Sequence, residues 1–103
     1  MTADKLLSAL AMCRKAGKLK IGFDAAMSAA QKDAVIVCLA SDISERTKKK
    51  ALLQCEDTVK IVDLPRTQTD IENAVGRKFV IAAVCDENFA KLISEQVTAN
   101  KVK

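Results

Sequence analysis

The sequence predicts an α/β protein, an α/β/α three-layer sandwich around a four-stranded mixed sheet. Apolar runs of strand length recur four times along the chain, segments with helical apolar stripes lie between them, and the connections are only a few residues long. Each helix has one apolar stripe to cover. Strands and helices that alternate in this way bury a sheet between two helical layers.

A first helix is expected from Asp4 to about Ala16, with Leu6, Leu7, Leu10 and Cys13 on one face and Gly17 just past its end. Residues 18–21 alternate polar and apolar, which predicts a short strand. Gly22 follows, and Asp24 is placed to cap a second helix rich in small residues, Ala25, Ala26, Ala29 and Ala30, able to pack close to a sheet. Residues 34–40 are apolar throughout and predict a strand buried on both faces. The chain then breaks at Ser41-Asp42-Ile43-Ser44. Asp42, with Glu45 three residues on, suggests the capping arrangement of a third helix running from about Ser44 to Gln54. A third strand is expected over 58–62, ended by Pro65, then a short helix over 69–75 closed by Gly76. A fourth strand is expected over 79–84. The last helix starts near Asp86, with Phe89, Leu92, Ile93 and Val97 as its apolar face and a frayed tail over 100–103.

At 103 residues the chain is read as one domain, residues 1–103, able to bury roughly two-thirds of its unfolded surface. No apolar run approaches the ~20 residues that span a bilayer, and the first residues lack the pattern of a secretory signal. A cytoplasmic location without membrane contact is the expectation. Seventeen basic residues against thirteen acidic ones give a net charge of +4, a modest excess whose distribution matters more. Arg14, Lys15, Lys18 and Lys20 form one cluster, Arg46 to Lys50 a second, Arg77 and Lys78 a third. Each lies at the end of an expected element, which favours an anionic partner.

Catalysis finds little support. There is no histidine, no nucleophile elbow and no phosphate-cradling glycine loop among three scattered glycines. Asp42 and Asp86 follow strands but are well placed to begin helices. Cys13, Cys38, Cys55 and Cys85 show no C-x-x-C spacing; Cys13, Cys38 and Cys85 sit in apolar surroundings and read as small core residues. No cofactor or metal is implied. RNA binding fits better, although Phe23, Phe79 and Phe89 are the only aromatics, so phosphate contacts and small loops would outweigh base stacking.

The markers Arg14-Lys-Ala-Gly-Lys-Leu19, Gly22-Phe-Asp-Ala25, Leu39-Ala-Ser-Asp-Ile-Ser44, Thr47-Lys-Lys-Lys50, Ala74-Val-Gly76 and Val84-Cys-Asp-Glu-Asn-Phe-Ala90 follow one another along nearly the whole chain. In this order and spacing the chain resembles the ribosomal protein L-seven-Ae family, whose members bind kink-turn RNA, and is most similar to its small bacterial members. The resemblance implies the same α/β/α sandwich. It implies a second helix that opens on a glycine, usually a threonine, and an Asn-Glu-x-x-Lys pattern reading guanine edges. Here those places hold Gly22, Phe23, Asp24, Ala25 and Ser28, so only the glycine matches. The Asp24 carboxylate can accept from guanine N–H groups but cannot donate to O6, and Ser28 is too short to replace a lysine. Each lost base contact costs ~1–3 kcal/mol of discrimination.

Two further contact regions are implied by the resemblance. One follows the second strand, where Ser44 stands in place of an acidic residue. The other precedes the fourth strand, at Gly76, Arg77, Lys78 and Phe79. The candidate RNA-binding residues are therefore Lys18, Lys20, Gly22, Phe23, Asp24, Ser28, Ser44, Arg46, Lys49, Arg77, Lys78 and Phe79. The backbone N–H groups of Gly22 and Phe23 count as donors whatever the side chains. The expected function is non-enzymatic binding of structured, kink-turn-like RNA, ribosomal or other, within a ribonucleoprotein that includes ribosomal proteins. The alternatives are a protein-interaction module of the same fold without specific RNA binding, and a relative of the substrate-binding domain of RNA methyltransferases.

Overall fold

The computed structural model describes residues 4–55 and 59–101. Its elements, in chain order, are α1 (Lys5–Lys15), β1 (Leu19–Ile21), α2 (Phe23–Ala30), β2 (Ile36–Leu39), α3 (Glu45–Cys55), β3 (Lys60–Asp63), α4 (Gln68–Val75), β4 (Ile81–Val84) and α5 (Glu87–Lys101). The sheet order is β1-β4-β2-β3. β4 runs antiparallel to both of its neighbours, and β2 and β3 are parallel. This is the four-stranded mixed α/β fold expected; the alternation of apolar runs and helical stripes predicts its four strands and helical layers, and the pairing sets the strand directions.

The two central strands are buried along their whole length, as their unbroken apolar sequences require. Alternate residues serve opposite layers. Ile36, Cys38, Ala82 and Val84 face a core that contains Leu6, Leu10 and Cys13 of α1, Ile71 and Val75 of α4, and Ile93 and Val97 of α5. Val37, Leu39, Ile81 and Ala83 face the second core, built on Ala26, Met27 and Ala30 of α2 with Ala51 and Cys55 of α3. The small residues of α2 let this helix lie close to the sheet. Among the described residues no helix is long and apolar enough to cross a membrane.

Several local expectations are corrected. The cap of α3 is not Asp42: Ser44 Oγ accepts from the Thr47 N–H at 3.2 Å. Asp42 instead reaches across to α4, where its Oδ1 accepts from the Gln68 N–H at 3.1 Å. The α4 start also carries a capping box between Thr67 and Asp70, so this helix begins one residue before the expected Thr69. Gly22, not Asp24, is the N-cap of α2, and Asp24 lies in the first turn. The fourth strand begins at Ile81 rather than Phe79, and the third at Lys60, with Thr58 outside the described residues. α5 continues to Lys101, past the expected start of fraying at Asn100. Leu92 is exposed rather than part of the apolar face of α5, and the buried cysteines are Cys13, Cys38 and Cys55, whereas Cys85 is half-buried.

Candidate nucleic-acid interface

The sheet register gathers three of the predicted contact segments. Ile21 at the end of β1 pairs with Ala82, Leu39 at the end of β2 pairs with Ile81, and Asp63 at the end of β3 pairs with Leu39. The segments after β1, β2 and β3 and the one before β4 therefore leave the sheet at the same end. Backbone hydrogen bonds tie them together. The Gly22 N–H donates to Ile81 O at 3.0 Å, Ala40 N–H to Val80 O at 2.9 Å, and Ser41 N–H to Arg66 O at 2.8 Å. Because the Gly22 N–H is engaged in the sheet, it is not a donor for a ligand. The donors that remain there begin at Phe23, since Gly22 brings no side chain to cap α2.

Gly22 adopts φ 104° and ψ 156°, a backbone region that side-chain-bearing residues rarely occupy. A Cβ there would meet nothing within 4 Å, so the glycine serves the turn and not a tight fit. This turn presents the Phe23 ring, half-buried, with Lys50 Nζ of α3 5.4 Å from its centroid. The contact is a cation–π interaction. It joins the α2 start to the basic first half of α3, a link the linear sequence does not signal.

On α3, Lys48 pairs with Asp63 at 3.4 Å, which anchors the helix to β3. Arg46 and Lys49 are exposed and make no ion pair among the described residues. The same is true of Arg77 and Lys78 in the segment before β4. Ser44 is exposed but occupied, capping α3 and donating its hydroxyl to Thr47 Oγ1 at 2.9 Å. A concavity of about 410 Å³ beside it is lined by Ser41, Ile43, Glu45, Lys48 and Asp63, among others.

The remaining candidates fall elsewhere. Phe79 is 4% exposed and belongs to the core that α1, α4 and α5 share with the sheet, so it cannot receive a splayed base. Apolar character before β4 signals burial as readily as recognition, and burial prevails here. Lys18 lies at the opposite end of the sheet, where its carbonyl accepts from the Cys85 N–H at 2.8 Å. Lys20 is exposed in the middle of edge strand β1, opposite Ala83. It shares a groove with Ser28 of α2, on the flank of the molecule. Arg14, part of the first basic cluster, donates to Val75 O at 3.2 Å and fastens α1 to the end of α4. Lys50 is the interface cation that the candidate set omits.

The cysteines offer no reactive centre at this end. Burial pushes the thiols of Cys13 and Cys38 up to about 12. Burial and Asp33 also raise Cys85, against the opposing pull of Lys20 and Lys18.

No protein-family model matches the chain, and no curated protein matches it in sequence. Solved structures do match. A protein of unknown function from Bacillus halodurans superposes with a TM-score of 0.85 at 25% identity, covering 93% of this chain and 99% of its own. A 15.5 kD RNA binding protein of Giardia lamblia superposes with a TM-score of 0.70 at 19% identity, covering 92% of this chain and 83% of its own. At that identity the second likeness speaks to the fold alone.

Proposed function

We propose that the protein is a non-catalytic RNA-binding protein that receives structured RNA on the loop end of its sheet. The observation that carries this reading is that Arg46 and Lys49 follow β2, and Arg77 and Lys78 precede β4, at the sheet end where α2 starts uncapped, all four exposed and without ion pairs among the described residues. Exposed cations and free helix-start N–H groups suit phosphate oxygens, and a folded RNA offers several at once. Asp24, exposed in the first turn of α2, can accept from guanine N–H groups. The fold shared with an RNA binding protein of Giardia supports the same class of partner. Within that class, the family markers favour kink-turn RNA in a cytoplasmic, ribosome-associated particle. The losses at Asp24, Ala25 and Ser28 favour weaker base discrimination.

Titration of a kink-turn RNA and a plain duplex across a range of salt tests both levels. Salt-dependent binding with preference for the kinked RNA is the expected result. Equal affinities would remove the kink-turn assignment, and a flat salt response would remove RNA binding. In the double variant Arg46→Glu, Lys49→Glu, affinity is expected to fall by on the order of a hundredfold at 0.1 M salt, with a shallower salt slope.

A protein-interaction role has its own support in α3, where Leu52 and Leu53 are 42% and 74% exposed beside the same cations. That reading predicts no salt-dependent RNA affinity.

A further inference from the structure

Strand β3 is an edge of the sheet, paired only with β2 among the described residues. The Leu64 N–H donates to Leu39 O at 2.8 Å, and backbone direction alternates along a strand. The N–H and C=O groups of Ile61 and Asp63 therefore point away from the sheet. Natural edges are commonly blunted by a bulge, an inward charge or a covering segment. This one is flanked by apolar surface instead. Helix α3 links two parallel strands and so runs back along them; Lys48 meets Asp63 at 3.4 Å. Leu52, one turn further on, is level with half-buried Ile61 and is 42% exposed. On the opposite face a groove of about 130 Å³ separates β3 from Ser94, Val97 and Thr98 of α5.

We propose that β3 pairs antiparallel with β3 of a second copy of this chain, joining the two sheets edge to edge about a two-fold axis. Residues directly opposite one another in an antiparallel pair share their backbone direction. Ile61 therefore faces Ile61 or Asp63 of the second copy, and never Lys60 or Val62. Side chains decide between the two. With Ile61 on Ile61, the axis gathers Ile61 and Leu52 of both copies into one apolar cluster. With Ile61 on Asp63, each isoleucine would lie against a carboxylate that is already held by Lys48.

The first register also gives the groove an occupant. It sets Lys60 beside Val62 of the second copy, on the α5 face. The lysine stem then covers the groove while its ammonium reaches the hydroxyls of Ser94 and Thr98. Backbone accounting agrees. The Ile61 residues exchange two hydrogen bonds, and the Asp63 N–H of each copy meets Val59 O of the other. The Val59 N–H already donates to Cys55 O at 3.3 Å and is not called upon. Every outward donor of the edge is thus satisfied by a group that this same chain supplies, which makes a second copy the fitting partner. The inference does not rest on the RNA-binding reading. Antiparallel pairing turns the two loop ends in opposite directions and leaves both open.

Sedimentation equilibrium of the full chain without RNA tests the pairing. An interface this small is weak, so a monomer–dimer equilibrium is expected between about 10 µM and about 1 mM chain. Asp63→Pro removes an outward N–H that the sheet does not use, while Asp63→Ala loses the same carboxylate but keeps the donor. The proline variant is expected to dissociate about thirtyfold more readily than the alanine variant, for two lost hydrogen bonds between copies. A second pair of variants leaves the strand untouched. Leu52→Glu sets like charges across the axis and is expected to leave only monomer. Leu53→Glu, at a position 74% exposed on the outward side of α3, is expected to dimerise like the wild type. A wild type that stays monomeric throughout overturns the proposal. So does a dimer that Leu52→Glu leaves intact or that Leu53→Glu breaks.

Discussion

Phe79 and Cys85 show how single residues acquire their roles from depth. The Phe79 ring is buried in the core that α1, α4 and α5 share with the sheet, so Phe79→Ala is expected to cost about 3–5 kcal/mol of stability, read as a lowered denaturant midpoint. An interface role would instead leave the midpoint unchanged and weaken RNA binding. Cys85 is the one half-buried cysteine among four, while Cys13 and Cys38 are fully enclosed and their thiols sit at about 12. A thiol reagent applied to the native protein is expected to modify Cys85 first, with Cys13 and Cys38 reacting only on unfolding. Peptide mapping of the labelled protein checks this order. Early labelling of Cys38 would contradict its place in the sheet. In the sequence Cys85 reads as a small core residue and Phe79 as an RNA contact. Their exposure is not legible there, because a strand-flanking residue can turn either way.

Helix starts govern the second scale. The sequence signals for α3 were an aspartate, two serines and a glutamate within five residues, and any of several could cap. Ser44 does so, and Asp42 is released to bridge the loop after β2 to the N-terminus of α4. Ser44→Ala is accordingly expected to cost about 1 kcal/mol through loss of the α3 cap. Asp42→Ala should loosen α4 instead, and amide exchange in the two helices separates the effects. Gly22 is the more demanding position. Its backbone lies in a region nearly closed to other residues, so Gly22→Ala is expected to destabilise by about 1–3 kcal/mol even though the added methyl meets open space. A thermal melt of the variant measures this. An unchanged melting temperature would mean that the turn relaxes without strain. Element order and type were legible throughout, since hydrophobic periodicity reports which faces are buried. Boundaries shifted by one or two residues where a cap, such as Thr67 with Asp70, outweighed the period.

For the molecule as a whole, charge links distant segments as much as it equips a surface. Arg66, in the loop between β3 and α4, meets Asp4 at the start of α1 at 2.7 Å, and this hydrogen-bonded pair holds the Asp4 carboxyl below its ordinary 3.8. A carboxylate depressed on folding contributes fully above its unfolded value and loses that contribution as pH falls through the folded one. Asp4→Asn keeps the N-cap but removes the charge. The variant is therefore expected to be less stable at neutral pH by up to about 1 kcal/mol and to match the wild type under strong acid. Denaturation at pH 7 and pH 2 measures the difference, and an equal deficit at both pH values would refute an ionic origin.

The apolar alternation was enough to specify a sheet between two helical layers, because burying two-faced strands between one-faced helices leaves few architectures. The basic clusters can also be read from the sequence. Which of those cations share a surface depended on strand register and loop ties. β4 runs against its neighbours, so the segments after Ile21, Leu39 and Asp63 meet the one before Ile81, while Lys18 is carried to the far end and Lys20 to the flank. Proximity across the fold is a property of chain direction and pairing. No local pattern of residues encodes it, and that is why Lys50 over Phe23 emerged only once the helices were packed.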